Sequence, residues 1–349
     1  GPALAVSLAL PFTFGLDKMT SISMLLGLYV GSIYGGSITA ILINTPGTPA
    51  SAATCLDGYP MARAGRADEA VGLSTVASLF GGLFSLLVLV VAAPQLAAWA
   101  LKFGPAEIFA LAVFALTCIA SISEGAMIKG LMAGLLGLFI SVVGQDAITG
   151  EARFTFDFFA LTGGIGLLPV LVGLFALSEV LVRLVERHKM SEPVTTGIGF
   201  RLPSFRMMRT CAGTAVKGSI IGTLLGVLPG IGPTTASFVS YSEARRAARP
   251  GEKFGAGEPK GVVASESANN AVSGGALVPT LALGIPGDPI TAIMLGAFTI
   301  HEIVPGPRLF VDHLDLVEAI FVALLLVNLA MFVIAAFSAQ LWTRVLQIP

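Results

Sequence analysis

Uncharged apolar runs, each about as long as a bilayer is thick, recur along this chain and limit its fold more tightly than any other feature. A helix crossing a membrane needs about 20 apolar residues. Thr20–Asn44 and Ala70–Ala93 contain no charge, Ala126–Val143 holds only Lys129, Leu161–Val182 only Glu179, and Leu316–Leu341 only Glu318. The shorter run Ile108–Ile122 reads as a further span. Only 12% of residues are charged, against the ~25% usual in soluble domains, too few to cover a soluble surface. Inside a bilayer the backbone finds no water partners, so such runs fold as helices. The expected fold class is an all-α integral membrane protein, a multi-span helical bundle.

Several function classes fall away. A net charge of −1 offers no basic face for nucleic acid. Cys55, Cys118 and Cys211 stand far apart in apolar sequence, without disulfide or zinc spacing, and read as packing residues. His188, His301 and His313 show no ligand spacing, so no metal centre is expected, and no cofactor. No Walker A loop is present, which excludes ATP hydrolysis by these residues.

Basic residues form three groups: Arg63 and Arg66; Arg183, Arg187, Lys189, Arg201, Arg206, Arg209 and Lys217; and Arg245, Arg246, Arg249, Lys253 and Lys260. The positive-inside rule places all three in the cytoplasm. Between the first two lie spans at 70–93, 106–122, 126–145 and 161–184, an even number, so both groups fall on one side. The loop at 191–209 is then cytoplasmic and the loop at 147–156 periplasmic. The second and third groups flank Gly218–Ser242, which is uncharged but broken by Pro229-Gly230-Ile231-Gly232-Pro233. A single crossing would export one basic loop, so a re-entrant hairpin with its tip at the proline–glycine break is expected.

An internal repeat organises the chain. Gly35-Gly36, an apolar run and Pro46-Gly47-Thr48-Pro49 reappear as Gly274-Gly275, a run one residue longer and Pro286-Gly287-Asp288-Pro289. Gly1-Pro2 precedes the first set as Gly232-Pro233 precedes the second. The first set ends at a basic loop and the second near Glu302, Arg308, Asp312 and Asp315, so the repeats are expected to be inverted. The units are 1–69, a first repeat expected to be truncated at its N-terminus; 70–210, four spans and a cytoplasmic loop; 211–312, the second repeat; and 313–349, a further span. By the same match, a Pro-Gly tip is expected upstream of residue 1; because the chain stops soon after one span, further spans are expected after Pro349. Glycines at 27, 31 and 35 and at 218, 222, 226 and 230 line helix faces, which reads as close helix packing.

Broken helices carry chemistry. A helix that starts inside the membrane presents free N–H groups and a partial positive charge, a site for carboxylates. One that stops there presents carbonyls suited to Na⁺. Paired breaks in inverted repeats point to a transporter site near the midplane. The substrate-binding candidates are Ser37, Asn44, Thr45, Pro46, Gly47 and Thr48 in the first repeat, and Asn269, Asn270, Ser273, Pro286, Gly287 and Asp288 in the second. Asp288, Glu266, Thr234 and Thr235 are the candidates for cation coupling, because an intramembrane acid is functional by default. Asp57, in Leu56-Asp57-Gly58-Tyr59-Pro60, reads as a structural residue in a turn at the membrane surface. Two further readings stay open at this point: a channel lined by re-entrant loops, and an intramembrane enzyme built on Asp288, for which no second catalytic aspartate is evident.

The stretch from Tyr34 to Glu69 (YGGSITAILINTPGTPASAATCLDGYPMARAGRADE) resembles the large membrane subunit of tripartite tricarboxylate transporters. So do Leu224–Phe238 (LLGVLPGIGPTTASF) and Glu266–Pro289 (ESANNAVSGGALVPTLALGIPGDP). The resemblance implies a multi-pass permease of the bacterial inner membrane, working with a small membrane subunit and a periplasmic solute-binding protein. It implies uptake of citrate or a related di- or tricarboxylate, driven by a Na⁺ or H⁺ gradient.

Overall fold

The computed structural model describes residues 1–122, 127–146, 151–185 and 200–345. Helix α1 (Pro2–Ala9) and a 3-10 turn (Leu10–Gly15) lead into α2 (Lys18–Ile43). Asp17 starts α2 by accepting from the Thr20 N–H at 3.0 Å. After a break at 44–48 come a 3-10 turn (Pro49–Ser51), α3 (Ala52–Met61), a widened turn (Ala62–Arg66) and α4 (Ala67–Ala100). Gly65, at φ 78°, separates α3 from α4. Then follow α5 (Pro105–Ile122) and α6 (Met127–Ser141). Gly144–Gln145 pairs with Ala152–Arg153 in a short antiparallel ladder, where Arg153 also pairs with Asp146 at 2.7 Å. The second half holds α7 (Phe159–Thr162), α8 (Leu167–Leu171), α9 (Ser178–Val185), α10 (Phe205–Val227), α11 (Pro233–Arg246), α12 (Pro259–Leu283), α13 (Pro289–Ile300), α14 (Leu309–Asp312) and α15 (Leu314–Val345).

Among the described residues, four helical stretches are long and apolar enough to cross a membrane: Lys18–Ile43, Pro49–Ala100, Phe205–Val227 and Leu314–Ser338. The outer faces carry exposed Phe80, Leu87, Leu131, Leu326 and Phe337, as lipid contact requires. The chain is a multi-pass helical membrane protein.

Two expectations change. The run 161–182 is not one continuous helix, because Gly163, Gly164 and Gly166 interrupt it and regular helix resumes only at Leu167. The hairpin at 218–242 is broken where expected, but its first arm is the whole of α10, long enough to cross by itself. Of the loops at 147–156 and 191–209, residues 147–150 and 191–199 lie outside the described residues, as does His188.

Helix α12 is the centre of the bundle. Every residue from Gly261 to Ala282 is buried, although the run includes Ser265, Glu266, Ser267, Asn269, Asn270 and Ser273. Glycines let its neighbours close in. A Cβ on Gly81 of α4 would lie 2.2 Å from the Ser267 carbonyl oxygen, and one on Gly222 of α10 2.1 Å from that of Ala268. The stripe at Gly218, Gly222 and Gly226 is thus a packing seam against α12. The stripe at 27, 31 and 35 is different: with Val327, Met331 and Ile334 of α15 it lines an apolar groove.

Candidate functional site: two facing helix starts

The two breaks share one local geometry. α2 ends at Asn44 in the left-handed region (φ 50°), and its N–H bonds back to the Thr39 carbonyl. α12 ends at Gly284, also left-handed (φ 69°), bonding back to Pro279 and Thr280. The next N–H in each case, Thr45 and Ile285, reaches the same carbonyl, Thr39 and Pro279. The chain then doubles back along its own helix. Gly47 N donates to the Gly36 carbonyl at 3.2 Å, and Gly287 lies against Ala276. Gly36 therefore corresponds to Ala276, one residue beyond the partner that matching the Gly-Gly pairs suggests.

This doubling back fixes where the next helices begin. Ser37 reaches Glu266 at 2.7 Å and Tyr29 reaches Asp288 at 2.5 Å, so α2 and α12 run antiparallel. α3 starts beside Gly36 and runs parallel to α2, since a Cβ on Gly58 would meet Ile41. α13 starts beside Ala276 and runs parallel to α12, and a few residues beyond its end at Ile300 the chain meets Gly284 at Pro305. The starts of α3 and α13 thus point at each other from opposite sides, about 10 Å apart along α2 at 1.5 Å per residue. The antiparallel relation is what two inverted repeats require. The 228–232 tip joins them: Gly230 N donates to the Gly287 carbonyl at 2.7 Å. α11 packs on the Pro49–Ser51 turn, and α1 packs on α13. All of these segments begin with proline, Pro2, Pro49, Pro233 and Pro289, which suits a first helical position because no N–H is needed there.

The residues named from the sequence sort into distinct roles. Thr48 and Gly47 lie at the start of α3; Thr48 is buried and its Oγ1 has no partner among the described residues. Asp288 and Gly287 lie at the start of α13. Asp288 is a complete helix cap: Oδ1 accepts from Ile290 N at 3.1 Å, Thr291 N at 2.7 Å and Thr291 Oγ1 at 2.9 Å, while Oδ2 accepts from Tyr29. Pro46 and Pro286 are half-buried in the returning strands.

Other candidates sit elsewhere. Asn44 is exposed at the far end of α2. With Thr45, it closes that helix instead of opening the next. Ser273 bonds back to the Asn270 carbonyl at 2.6 Å within its own helix. Thr235 lies on the exposed face of α11 and Thr234 is half-buried. Asp57 lies in helix α3, not in a turn, and is fully buried. The αL position at Asn44 is testable. Asn44→Gly should leave thermal stability in detergent within about 0.5 kcal/mol, whereas Asn44→Ala should lower it by about 1–2 kcal/mol, the cost of a Cβ in this region without a compensating side chain.

Glu266 and its partners form a second polar cluster just behind the first break. Ser37 donates to Oε1 at 2.7 Å and Ser78 to Oε2 at 3.0 Å; Thr54 also donates to Oε1, and Asn269 lies at 3.5 Å. Asn270 donates to Ser78 at 2.9 Å and to Asn269 at 2.7 Å. Sequence reasoning missed Tyr29, Thr54, Ser74 and Ser78. Only the last two left a signal: their spacing of four puts hydroxyls on one face of an otherwise apolar span. Among the described residues no cluster of His, Cys, Asp and Glu is suited to a metal ion.

A membrane-embedded bundle whose paired broken helices aim their starts toward each other has the architecture of a membrane transporter. The chain belongs to the Tripartite tricarboxylate transporter TctA family, whose model matches residues 1–349. It is 40% identical over 349 residues to the "Uncharacterized 52.8 kDa protein in TAR-I ttuC' 3'region" of Agrobacterium vitis, covering all of this chain and 69% of that protein. It is 39% identical over 128 residues to the "Uncharacterized protein in TAR-II ttuC' 3'region" of the same organism, covering 37% of this chain and 53% of the relative. No solved structure matches it.

Proposed function

We propose that this chain is the substrate-carrying part of a bacterial inner-membrane permease that takes up di- or tricarboxylates using an ion gradient. The observation that carries this reading is the facing pair of helix starts at Thr48 and Asp288. Each directs the positive end of a helix dipole into the bundle. A di- or tricarboxylate has negative groups several ångströms apart, so one can meet each start. The break segments 44–48 and 284–288 contain no Arg or Lys, and Asp288 is their single charged residue. Neutral donors hold an anion without trapping it. The small membrane subunit and the periplasmic binding protein of such systems would supply the assembly and the delivery.

The test is uptake of radiolabelled citrate by proteoliposomes holding the full-length protein, its membrane subunit and binding protein. Under an imposed Na⁺ or H⁺ gradient, internal citrate should rise above the bath concentration and fall when the gradient is collapsed. Equilibration without accumulation would instead identify a channel.

A further inference from the structure

We propose that Glu266 is the anionic ligand of a site for a monovalent Na⁺-like cation, and that this site lies directly behind the start of α3. The inference rests on the transport reading above and names the ion site within it. Glu266 is 0% exposed, and among the described residues no Lys, Arg or His pairs with it. A buried carboxylate without a counter-charge is expensive unless something neutralises it. Its partners come from three other helices and all are side chains: Ser37 of α2, Thr54 of α3 and Ser78 of α4, with Ser74 facing the same group. Hydroxyls carry lone pairs as well as a proton, so each can rotate from donating to the carboxylate to coordinating a cation. Asn270 is 1% exposed, and its Oδ1 has no partner among the described residues.

The chemistry selects the ion. One carboxylate balances one positive charge, whereas a divalent cation usually draws more carboxylates or waters. Apart from the Asn269 amide at 3.5 Å, the side chains bonded to the carboxylate are hydroxyls, whose oxygens suit a hard cation. A proton needs a single acceptor, yet hydroxyls of Ser37, Thr54, Ser78 and Ser74 gather around Glu266, with Asn270 bonded to Ser78 beside them. Asp288 is the weaker candidate, because two backbone N–H groups, a threonine and Tyr29 already fill its oxygens as a helix cap.

Position makes the site a coupling device. Ser37 follows Gly36, whose added Cβ would lie 2.6 Å from Thr48 Oγ1, and Thr54 belongs to the first turn of α3. An uncompensated Glu266 would repel a carboxylate arriving at that helix start. A bound cation removes the repulsion, so cation and substrate should each strengthen the other's binding.

The experiment is thermal denaturation of the full-length protein in detergent, titrating NaCl against choline chloride at constant ionic strength and pH, without substrate. A ligand that binds the folded state raises its stability with concentration. Wild type should show a saturable rise in melting temperature with Na⁺ and none with choline. Ser78→Ala should shift the Na⁺ midpoint upward roughly tenfold, the equivalent of ~1.4 kcal/mol. Glu266→Gln should abolish the response while still melting cooperatively, and Asp288→Asn should keep it. If Glu266→Gln does not fold, the Ser78→Ala shift decides. No Na⁺ effect in wild type, a response to pH alone, or an unchanged midpoint in Ser78→Ala would each overturn the proposal. Citrate is added last: a Na⁺ response without citrate binding would sink the carboxylate reading and leave the cation site standing.

Discussion

Gly287→Val should abolish citrate uptake by the reconstituted permease, and Gly47→Val should do nearly the same, each lowering the rate by more than about 100-fold. The returning strand of each break lies flat on its own helix. A Cβ on Gly287 would stand 2.5 Å from Ala276 Cα and 2.7 Å from the Gly226 carbonyl oxygen. A Cβ on Gly47 would stand 2.7 Å from Thr39 Oγ1 and 2.8 Å from Gly36 Cα. The obstacles at Gly287 are mostly backbone, which does not swing aside. Overpacking of this kind costs about 1–3 kcal/mol or more, and the valine must be relieved by lifting the strand. That displaces Asp288 or Thr48 and re-aims the helix start behind it. The glycines are therefore required by packing beneath the site. Gly287→Ala should be the milder version of the same defect. The check is initial uptake rate beside a melting curve; normal transport in both valine variants would dissociate the breaks from the substrate path.

Asp57→Ala should lower stability by about 3–5 kcal/mol, the range for removing one partner from a buried charged network. Asp57 Oδ1 accepts from the N–H groups of Gly255, Gly257 and Glu258 at 2.8, 2.9 and 2.8 Å, and Oδ2 from the Tyr241 hydroxyl at 2.9 Å. Gly255 and Gly257 hold positive φ of 84° and 97° to present those donors. Alanine leaves three buried or half-buried N–H groups unpaired and frees the loop that precedes α12. Asp57→Asn keeps an acceptor oxygen and should lie between wild type and alanine. Tyr241→Phe removes one hydrogen bond to a charged group, about 1.5–3 kcal/mol. Thermal denaturation in detergent, with protease cleavage in the 247–258 loop as a second readout, distinguishes these cases. A loss under 1 kcal/mol in Asp57→Ala would mean that the loop is held from elsewhere.

Much of this architecture is local in origin and so was open to sequence reading. Spans at 20–44, 70–93, 108–122 and 126–143 follow from hydropathy, and α2, α4, α5 and α6 contain most or all of each. The breaks follow from proline, which stops a helix whatever surrounds it, and they fall at 44–48, 228–232 and 284–288 as read. The repeated Pro-Gly-x-Pro was visible for the same reason. The gap in 161–182 was missed because glycine permits a helix interruption without demanding one.

What the linear order alone could not decide is which side chain meets which. Asn44 and Thr48 are four residues apart and both looked like site residues, yet the doubling-back strand sends one to the far end of α2 and the other to the start of α3. Glu266 and Asp288 looked alike as intramembrane acids. Tertiary packing makes one a saturated helix cap held by its own next turn and Tyr29, and surrounds the other with hydroxyls from three distant helices. Hydropathy and proline act over a few residues, and so the sequence by itself determined the membrane class, most of the spans and the breaks. The polar partnerships depend on helix rotation and depth, which are set only when the glycine seams against α12 close, and that the tertiary structure alone decided.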